Sequence, residues 1–107
     1  MTAVPDVITR YYAAAERGDT DGVLDCFSPD AHVLDEDHHY WGAEEVRRWR
    51  ESVATRFTYT SEVTGTERTA AGEHLVSTHL EGDFPGGTVD LVQRFTVSDG
   101  LITQLLI

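Results

Sequence analysis

Residues 10–35 decide the fold of this chain, and they read RYYAAAERGDTDGVLDCFSPDAHVLD. Apolar residues recur at helical spacing up to and through the start of this stretch, which predicts a first helix from about Asp6 to Arg17. Tyr11 lies on the apolar stripe of that helix. The run from Ala31 to Asp35 reads as a short strand. The stretch therefore places a hydrogen-bond donor, the Tyr11 phenol, in a fixed relation to a proton acceptor, the Asp35 carboxylate.

A second, shorter helix is expected between these two elements. Asp19 can cap it, and its inward-facing residues would be Val23, Leu24 and Phe27. The segment Ser28-Pro29-Asp30 then stops the helix, because proline and turn-forming residues interrupt helical hydrogen bonding. The first two helices are thus expected to form an N-terminal hairpin.

The remainder of the chain predicts one more helix and then strands. A third helix follows Trp41-Gly42, with Val46, Trp49 and Val53 on one face. Oppositely charged residues at four-residue spacing support it, namely Glu44 with Arg48 and Arg47 with Glu51. From Phe57 onward the apolar period is two, and turn residues separate four expected strands at 57–67, 73–82, 88–98 and 101–107.

This order of elements predicts the fold class. Helices first and strands afterwards are typical of an α+β domain, in which helices cover one face of a curved antiparallel sheet. A length of 107 residues suits one domain, residues 1–107, and does not suffice for a second core. Neither an internal repeat nor a low-complexity segment appears in the sequence.

Charge and composition exclude several classes of partner. The formal net charge is -11, and all eight basic residues are arginines. This charge repels nucleic-acid phosphates and anionic membranes, so we expect neither as a partner. The single cysteine, Cys26, is expected in the core rather than as a reactive thiol. The first residues show no secretory pattern and no apolar run reaches the ~20 residues of a membrane span, so the expected compartment is the cytoplasm.

The run from Arg10 to Asp35 resembles the N-terminal half of ketosteroid isomerases and of the wider SnoaL-like group in the nuclear-transport-factor-2 superfamily. The resemblance implies a cystatin-like cone in which three N-terminal helices pack on a curved antiparallel sheet around a hydrophobic pocket. It also implies that Asp35 is a general base and that Tyr11 is an oxyanion donor facing it. Aligning Phe95 with the aromatic strand of the isomerases places Gln93 where that family has a protonated Asp. An amide can donate a hydrogen bond there, but it is a weaker acid than a carboxylic acid.

Aromatic and histidine side chains complete the expected substrate pocket. The candidates are Tyr12, Trp41, Trp49, Phe57, His79, Phe84 and Phe95. Alternation along the strand at 73–82 leaves two orientations of His79 open, since apolar residues occur at both parities. An inward-facing His79 could work with Asp35 as an acid/base pair, as in relatives of the scytalone dehydratase type, whereas an outward-facing one would be solvated. The glycines of the loop at 84–87 would allow it to close over the pocket mouth.

Two other chemistries are disfavoured by the sequence. His32, Asp35, Asp37, His38 and His39 form a local cluster, but strand alternation sends His32 to the face opposite Asp35. We therefore expect no metal and no cofactor.

The epoxide hydrolase variant of the fold requires a carboxylate, an arginine and a second carboxylate in the cavity. The one strand arginine in a suitable region, Arg94, lies on the face opposite Gln93.

The resulting hypothesis is binding of a small hydrophobic, carbonyl-bearing molecule and proton transfer of the ketosteroid isomerase or polyketide cyclase kind, with Asp35 as base. The alternative is a non-catalytic module of the same fold that binds a ligand or dimerises. Residues 101–107 have apolar side chains on both faces of the final strand. One face can meet the helices, so a homodimer through the outer sheet face is expected.

Overall fold

The computed structural model of the protein describes residues 4–107. Met1, Thr2 and Ala3, which belong to the segment without a secretory pattern, lie outside the described residues. The three helices are α1 (Asp6–Glu16), α2 (Thr20–Leu24) and α3 (Gly42–Arg56). The six strands are β1 (Phe27–Asp35), β2 (His38–Trp41), β3 (Tyr59–Arg68), β4 (His74–Gly82), β5 (Thr88–Ser98) and β6 (Leu101–Leu106).

The strands form one sheet in the order β2-β1-β6-β5-β4-β3. Consecutive hairpins make β3 to β6 antiparallel, as the two-residue period and the turns predicted. The β1–β6 pair is parallel, with Val33 beside Leu105. This pair differs from the expected all-antiparallel sheet, because the meander returns its last strand to the side of β1. The α+β class with three helices on a curved sheet is confirmed.

The helices cover the inner face of the sheet through a continuous apolar core. In α1, the buried residues recur every three or four positions, as an amphipathic helix requires. The carboxylate of Asp19 accepts a hydrogen bond from the Gly22 backbone N–H at 2.9 Å, so the expected cap of α2 is present. The sheet contributes Phe95, Ile102 and Leu105 to this core. The helices and the sheet therefore meet around one hydrophobic interior.

Local differences from the sequence predictions concern the segment between α2 and α3. Phe27, expected on the inner face of α2, begins β1 instead, because α2 ends at Leu24. The polar stretch that follows Asp35 contains strand β2, in which His38 pairs with Asp35 and Trp41 with His32. This hairpin provides the turn at which Asp35 is held.

One of the two expected ion pairs of α3 also differs. Arg48 pairs with Glu44 at 2.8 Å, as predicted. The Arg47 guanidinium instead lies 2.9 Å from the Asp21 carboxylate, which joins α3 to α2. Both pairs are solvent-exposed, so each contributes little to stability.

Candidate active site

A cavity of about 500 Å³ lies between the helices and the inner face of the sheet. Its exposed wall is mostly apolar, and polar groups converge on it from both layers. Such a combination is typical of a small-molecule site. The wall is formed by Tyr11, Tyr12, Ala15, Asp35, Glu36, Trp49, Arg50, Val53, Arg56, Phe57, Tyr59, Ser61, Leu80, Phe84, Pro85, Val89, Leu91, Gln93 and Ile107.

Asp35 is the last residue of β1 and lines this cavity. The turn that follows consists of Glu36 and Asp37, both in the left-handed region at φ 51° and 63°. Two consecutive positive φ values make a tight two-residue hairpin, which fixes the end of the strand. The Trp49 indole Nε1–H donates a hydrogen bond of 2.9 Å to Asp35 Oδ2. Among residues 4–107, no hydrogen bond involves Oδ1, so this oxygen remains available to a ligand.

Tyr11 extends from α1 to the same cavity. The residue is 3% exposed, and its ring makes edge contacts with the rings of Tyr12, Phe27 and Phe95. Within the described part of the chain its hydroxyl has no hydrogen-bond partner, and the hydroxyl is not sealed from the cavity. Burial raises the pKa of the Tyr11 phenol above its ordinary value, and the nearby Arg50 opposes that shift. The phenol is therefore a neutral donor at physiological pH.

Gln93 is buried at 6% exposure on the inner face of β5, as the alternation of that strand predicted. The Tyr12 hydroxyl donates a hydrogen bond to Gln93 Oε1. This contact occupies the amide oxygen and leaves the amide N–H₂ as a donor toward the cavity. Burial, followed by the neighbouring Tyr11, raises the pKa of Tyr12, so this hydroxyl keeps its proton.

Arg50 is a charged residue of the cavity that the sequence analysis missed. It is 4% exposed, and its Nη2 donates to the Ala15 carbonyl at 3.5 Å and to the Tyr59 hydroxyl at 3.1 Å. The available signal was its spacing, since Arg50 stands four residues after Val46 on the apolar stripe of α3. Burial opposes the positive charge, but Tyr11, Tyr59 and Asp35 together outweigh it and raise the pKa of Arg50.

The loop between β4 and β5 contributes Phe84 and Pro85 to the cavity wall. The Phe84 ring meets the Phe57 ring edge-on, with centroids 5.8 Å apart. The close approach of β3 at this point requires Gly82, because a Cβ there would lie 2.6 Å from the Thr58 carbonyl oxygen and from the Tyr59 Cβ. The loop anticipated as a cover therefore borders the pocket.

The structure brings together seven of the ten site residues predicted from the sequence. These are Tyr11, Tyr12, Asp35, Trp49, Phe57, Phe84 and Gln93.

The three other predicted residues lie outside the cavity wall. Trp41 is 60% exposed on the outer face of the sheet and stacks on His32, with centroids 3.9 Å apart. His79 also faces outward, where its Nδ1 lies 2.8 Å from the Asp90 carboxylate. Phe95 is fully buried in the core behind the tyrosine rings of α1. In β4 the even-numbered residues point inward, which decides the orientation of His79 that alternation left open.

Within residues 4–107, His, Cys, Asp and Glu side chains form no group of three or more that could hold a metal ion. None of the helices in this range has the combination of length and apolar character needed to cross a membrane.

Comparison with known protein families identifies the family of this chain. The family model for the SnoaL-like domain matches residues 8–105. The chain belongs to the SnoaL-like family. Cystatin-fold and nuclear-transport-factor-2-like structures are also among the solved structures that it resembles. No protein of curated function matches the sequence.

Three solved structures illustrate the range of this SnoaL-like fold. A protein from Sinorhizobium meliloti, provisionally classed as a polyketide cyclase, is 32% identical, with a TM-score of 0.88 over 96% of this chain and 94% of that one. The Δ5-3-ketosteroid isomerase of a Mycobacterium species is 21% identical, with a TM-score of 0.78 over 94% and 88% of the two chains. SalBIII, an epoxide hydrolase/cyclase-like enzyme with a role in pyran ring formation in the polyether salinomycin, is 19% identical, with a TM-score of 0.81 over 94% of this chain and 85% of that one. The last two likenesses establish the fold alone.

Proposed function

We propose that this SnoaL-like protein binds a small hydrophobic molecule with a carbonyl group and catalyses proton transfer next to that carbonyl. The observation that supports this function is the Asp35 carboxylate, held at one oxygen by Trp49 and free at the other, on the wall of a largely apolar cavity. The function would be of the ketosteroid isomerase or polyketide cyclase kind. Two solved structures of the same fold carry these activities in their names.

The cavity contains the groups that such a reaction requires. Asp35 Oδ1 would remove a proton from the carbon beside the carbonyl, acting as general base. The negative charge that then develops on the carbonyl oxygen needs preorganised donors. The Tyr11 hydroxyl and the Gln93 amide are donors without a protein acceptor among the described residues, and we assign this role to them. The protonated Asp35 would then return this proton to the γ-carbon of a β,γ-unsaturated ketone, which forms the conjugated enone and restores the carboxylate.

A non-catalytic module is the alternative function, and one observation favours it. Gln93 stands where the isomerase resemblance implies a protonated carboxylic acid, and loss of one good oxyanion donor typically lowers a rate by about 100- to 1000-fold. A protein of this kind would still bind a hydrophobic ligand in the same cavity. A computationally designed 17-OHP binder is one of the solved structures that share this fold.

Turnover assays with an Asp35 variant distinguish these two functions. Wild type would be screened with β,γ-unsaturated ketones, whose conversion to conjugated enones is followed by ultraviolet absorbance. We expect Asp35→Asn to lower kcat by about 100- to 10,000-fold, because a positioned general base contributes that much. Asp99→Asn is the matched control, since Asp99 lies in the β5–β6 turn in a left-handed conformation that Asn also adopts. Ligand binding without turnover in wild type would favour the non-catalytic module.

The quaternary structure and the compartment are further parts of the proposal. Trp41 and Val92, each 60% exposed, present apolar surface on the outer face of the sheet. We propose a homodimer through this face, because large apolar side chains exposed on one face of a sheet favour association. The cytoplasm is the proposed compartment, and it rests on Cys26 being a free, buried cysteine.

A further inference from the structure

The Arg50 guanidinium is a buried positive charge without a carboxylate partner. No carboxylate of the described residues lies within 4.0 Å of it, although acidic residues outnumber basic ones in this chain by 19 to 8. Its two hydrogen bonds reach neutral oxygens, and both start from Nη2. Nε and Nη1 have no acceptor among residues 4–107, and neither is among the sealed polar atoms. These donors therefore remain open to the cavity.

The indole of Trp49 contacts both Arg50 and Asp35, which form no ion pair with each other within 4.0 Å. The Arg50 Cζ lies over the indole ring, 5.0 Å from its centroid. The Nε1 edge of the same ring donates to Asp35. The cavity thus has a cationic region on the face of the indole and an anionic region at its edge, where Glu36 follows Asp35. A ligand with one negative group would place that group on the Arg50 side, because the carboxylates repel it from the other.

We propose that the natural ligand is a hydrophobic keto acid, and that Arg50 binds its carboxylate. This inference rests on the proposed function, since it names the substrate class of the same cavity. A guanidinium presents several N–H donors in one plane and is more weakly hydrated than an ammonium, which suits it to partly buried carboxylate recognition. The flat apolar body of the ligand would occupy the aromatic wall, with its ketone toward Tyr11 and the carbon beside the ketone toward Asp35.

A pair of probes that differ only in charge tests this assignment. Binding of 2-naphthoic acid and of its neutral isostere 2-naphthamide to the wild-type protein would be measured by isothermal titration calorimetry near neutral pH. We expect the acid to bind about 10- to 100-fold more tightly, as charge-assisted hydrogen bonds typically provide. In Arg50→Gln this preference should disappear through loss of acid affinity, with amide affinity kept. Arg48→Gln, on the solvent side of the same helix, should retain the wild-type preference.

Several results would overturn the assignment. Equal or weaker binding of the acid in wild type would show that the cavity does not recognise a carboxylate. An acid preference that survives in Arg50→Gln would place the anion elsewhere, for example at Arg56. If Arg50→Gln does not fold, the wild-type probe pair and the charge-conserving Arg50→Lys decide, and loss of the acid preference in a folded Arg50→Lys agrees with recognition by a planar guanidinium. Neither probe has a removable C–H proton beside its carbonyl. Their binding therefore tests Arg50 independently of catalysis by Asp35.

Discussion

Replacing Trp49 by Phe tests whether the indole positions Asp35. The substitution removes the Nε1–H donor that lies 2.9 Å from Asp35 Oδ2 and keeps an aromatic ring in the core. A hydrogen bond to a charged group contributes about 1.5 to 3 kcal/mol to stability. Asp35 is half-buried at a cavity that water can enter, so we take the lower end, about 1.5 kcal/mol.

Loss of packing adds to this cost. Trp49 is 2% exposed, and full truncation of a buried Trp costs about 3 to 5 kcal/mol, so the smaller change to Phe should cost about 1 to 2 kcal/mol. The total is about 2.5 to 3.5 kcal/mol. Urea unfolding followed by far-ultraviolet circular dichroism measures it without relying on tryptophan fluorescence. Trp41→Phe is the matched control, and we expect about 0.5 kcal/mol or less, because Trp41 is 60% exposed.

A double-mutant cycle isolates the hydrogen bond from the packing. If the bond exists, Trp49→Phe and Asp35→Ala should be non-additive, with a coupling free energy of about 1 to 1.5 kcal/mol. Additivity within about 0.5 kcal/mol would show that the indole does not hold the carboxylate, and the positioning argument would fail.

Three further outcomes follow from other parts of the structure. Hydrogen bonding to Asp90 raises the pKa of His79 above its ordinary 6.5, so the contribution of His79 to stability is present below about pH 6.5 and is lost as pH rises through the folded-state pKa. The melting temperature of His79→Gln should therefore fall below that of wild type near pH 6 and match it near pH 8.5, and an equal deficit at both pH values would contradict this. Replacing the turn pair Glu36 and Asp37, at φ 51° and 63°, by Asn and Gly should raise the free energy of unfolding by about 1 kcal/mol or more in urea titrations, because Asn and Gly suit left-handed backbone. Unchanged or lower stability would argue against strain in this turn. Sedimentation equilibrium at micromolar concentration should give twice the 11.9 kDa of one chain, and Val92→Asp on the outer face should shift the mass toward the monomer; a monomeric wild type refutes the dimer.

The sequence predicted those parts of the fold in which one periodic pattern continues over many residues. The stripe of α1 and the alternation of β5 are long, so each pattern predicts the direction of its site residue, Tyr11 in α1 and Gln93 in β5. Strand β2 has four residues with exposed or half-exposed side chains, so no buried period marks it. Its turn, Glu36-Asp37, also lacks the glycine or asparagine that usually indicates a hairpin.

The remaining parts of the site depend on contacts between distant segments. His79 faces outward because the unbroken β4–β5 register places it beside Asp90, whereas its own strand has apolar residues at both parities and leaves its direction open. Trp41 of β2 lies on the outer face because it pairs with His32 of β1, and sequence periodicity does not specify this pairing. Arg50 had a usable signal, since a charged residue on the apolar stripe of α3 indicates either a buried partner or a ligand site. Its neutral acceptors, at positions 15 and 59, became evident only in three dimensions.

Hydrogen–deuterium exchange at a bound ketone is the most direct test of Asp35 as a general base. A β,γ-unsaturated ketone that binds the cavity would be incubated in D₂O with wild type, Asp35→Asn or Asp99→Asn, and loss of the proton signal beside the carbonyl would be followed by NMR. We predict rapid exchange with wild type and Asp99→Asn, and exchange at least about 100-fold slower with Asp35→Asn. Equal exchange rates for wild type and Asp35→Asn, with both proteins folded and binding the ketone, would contradict proton abstraction by Asp35.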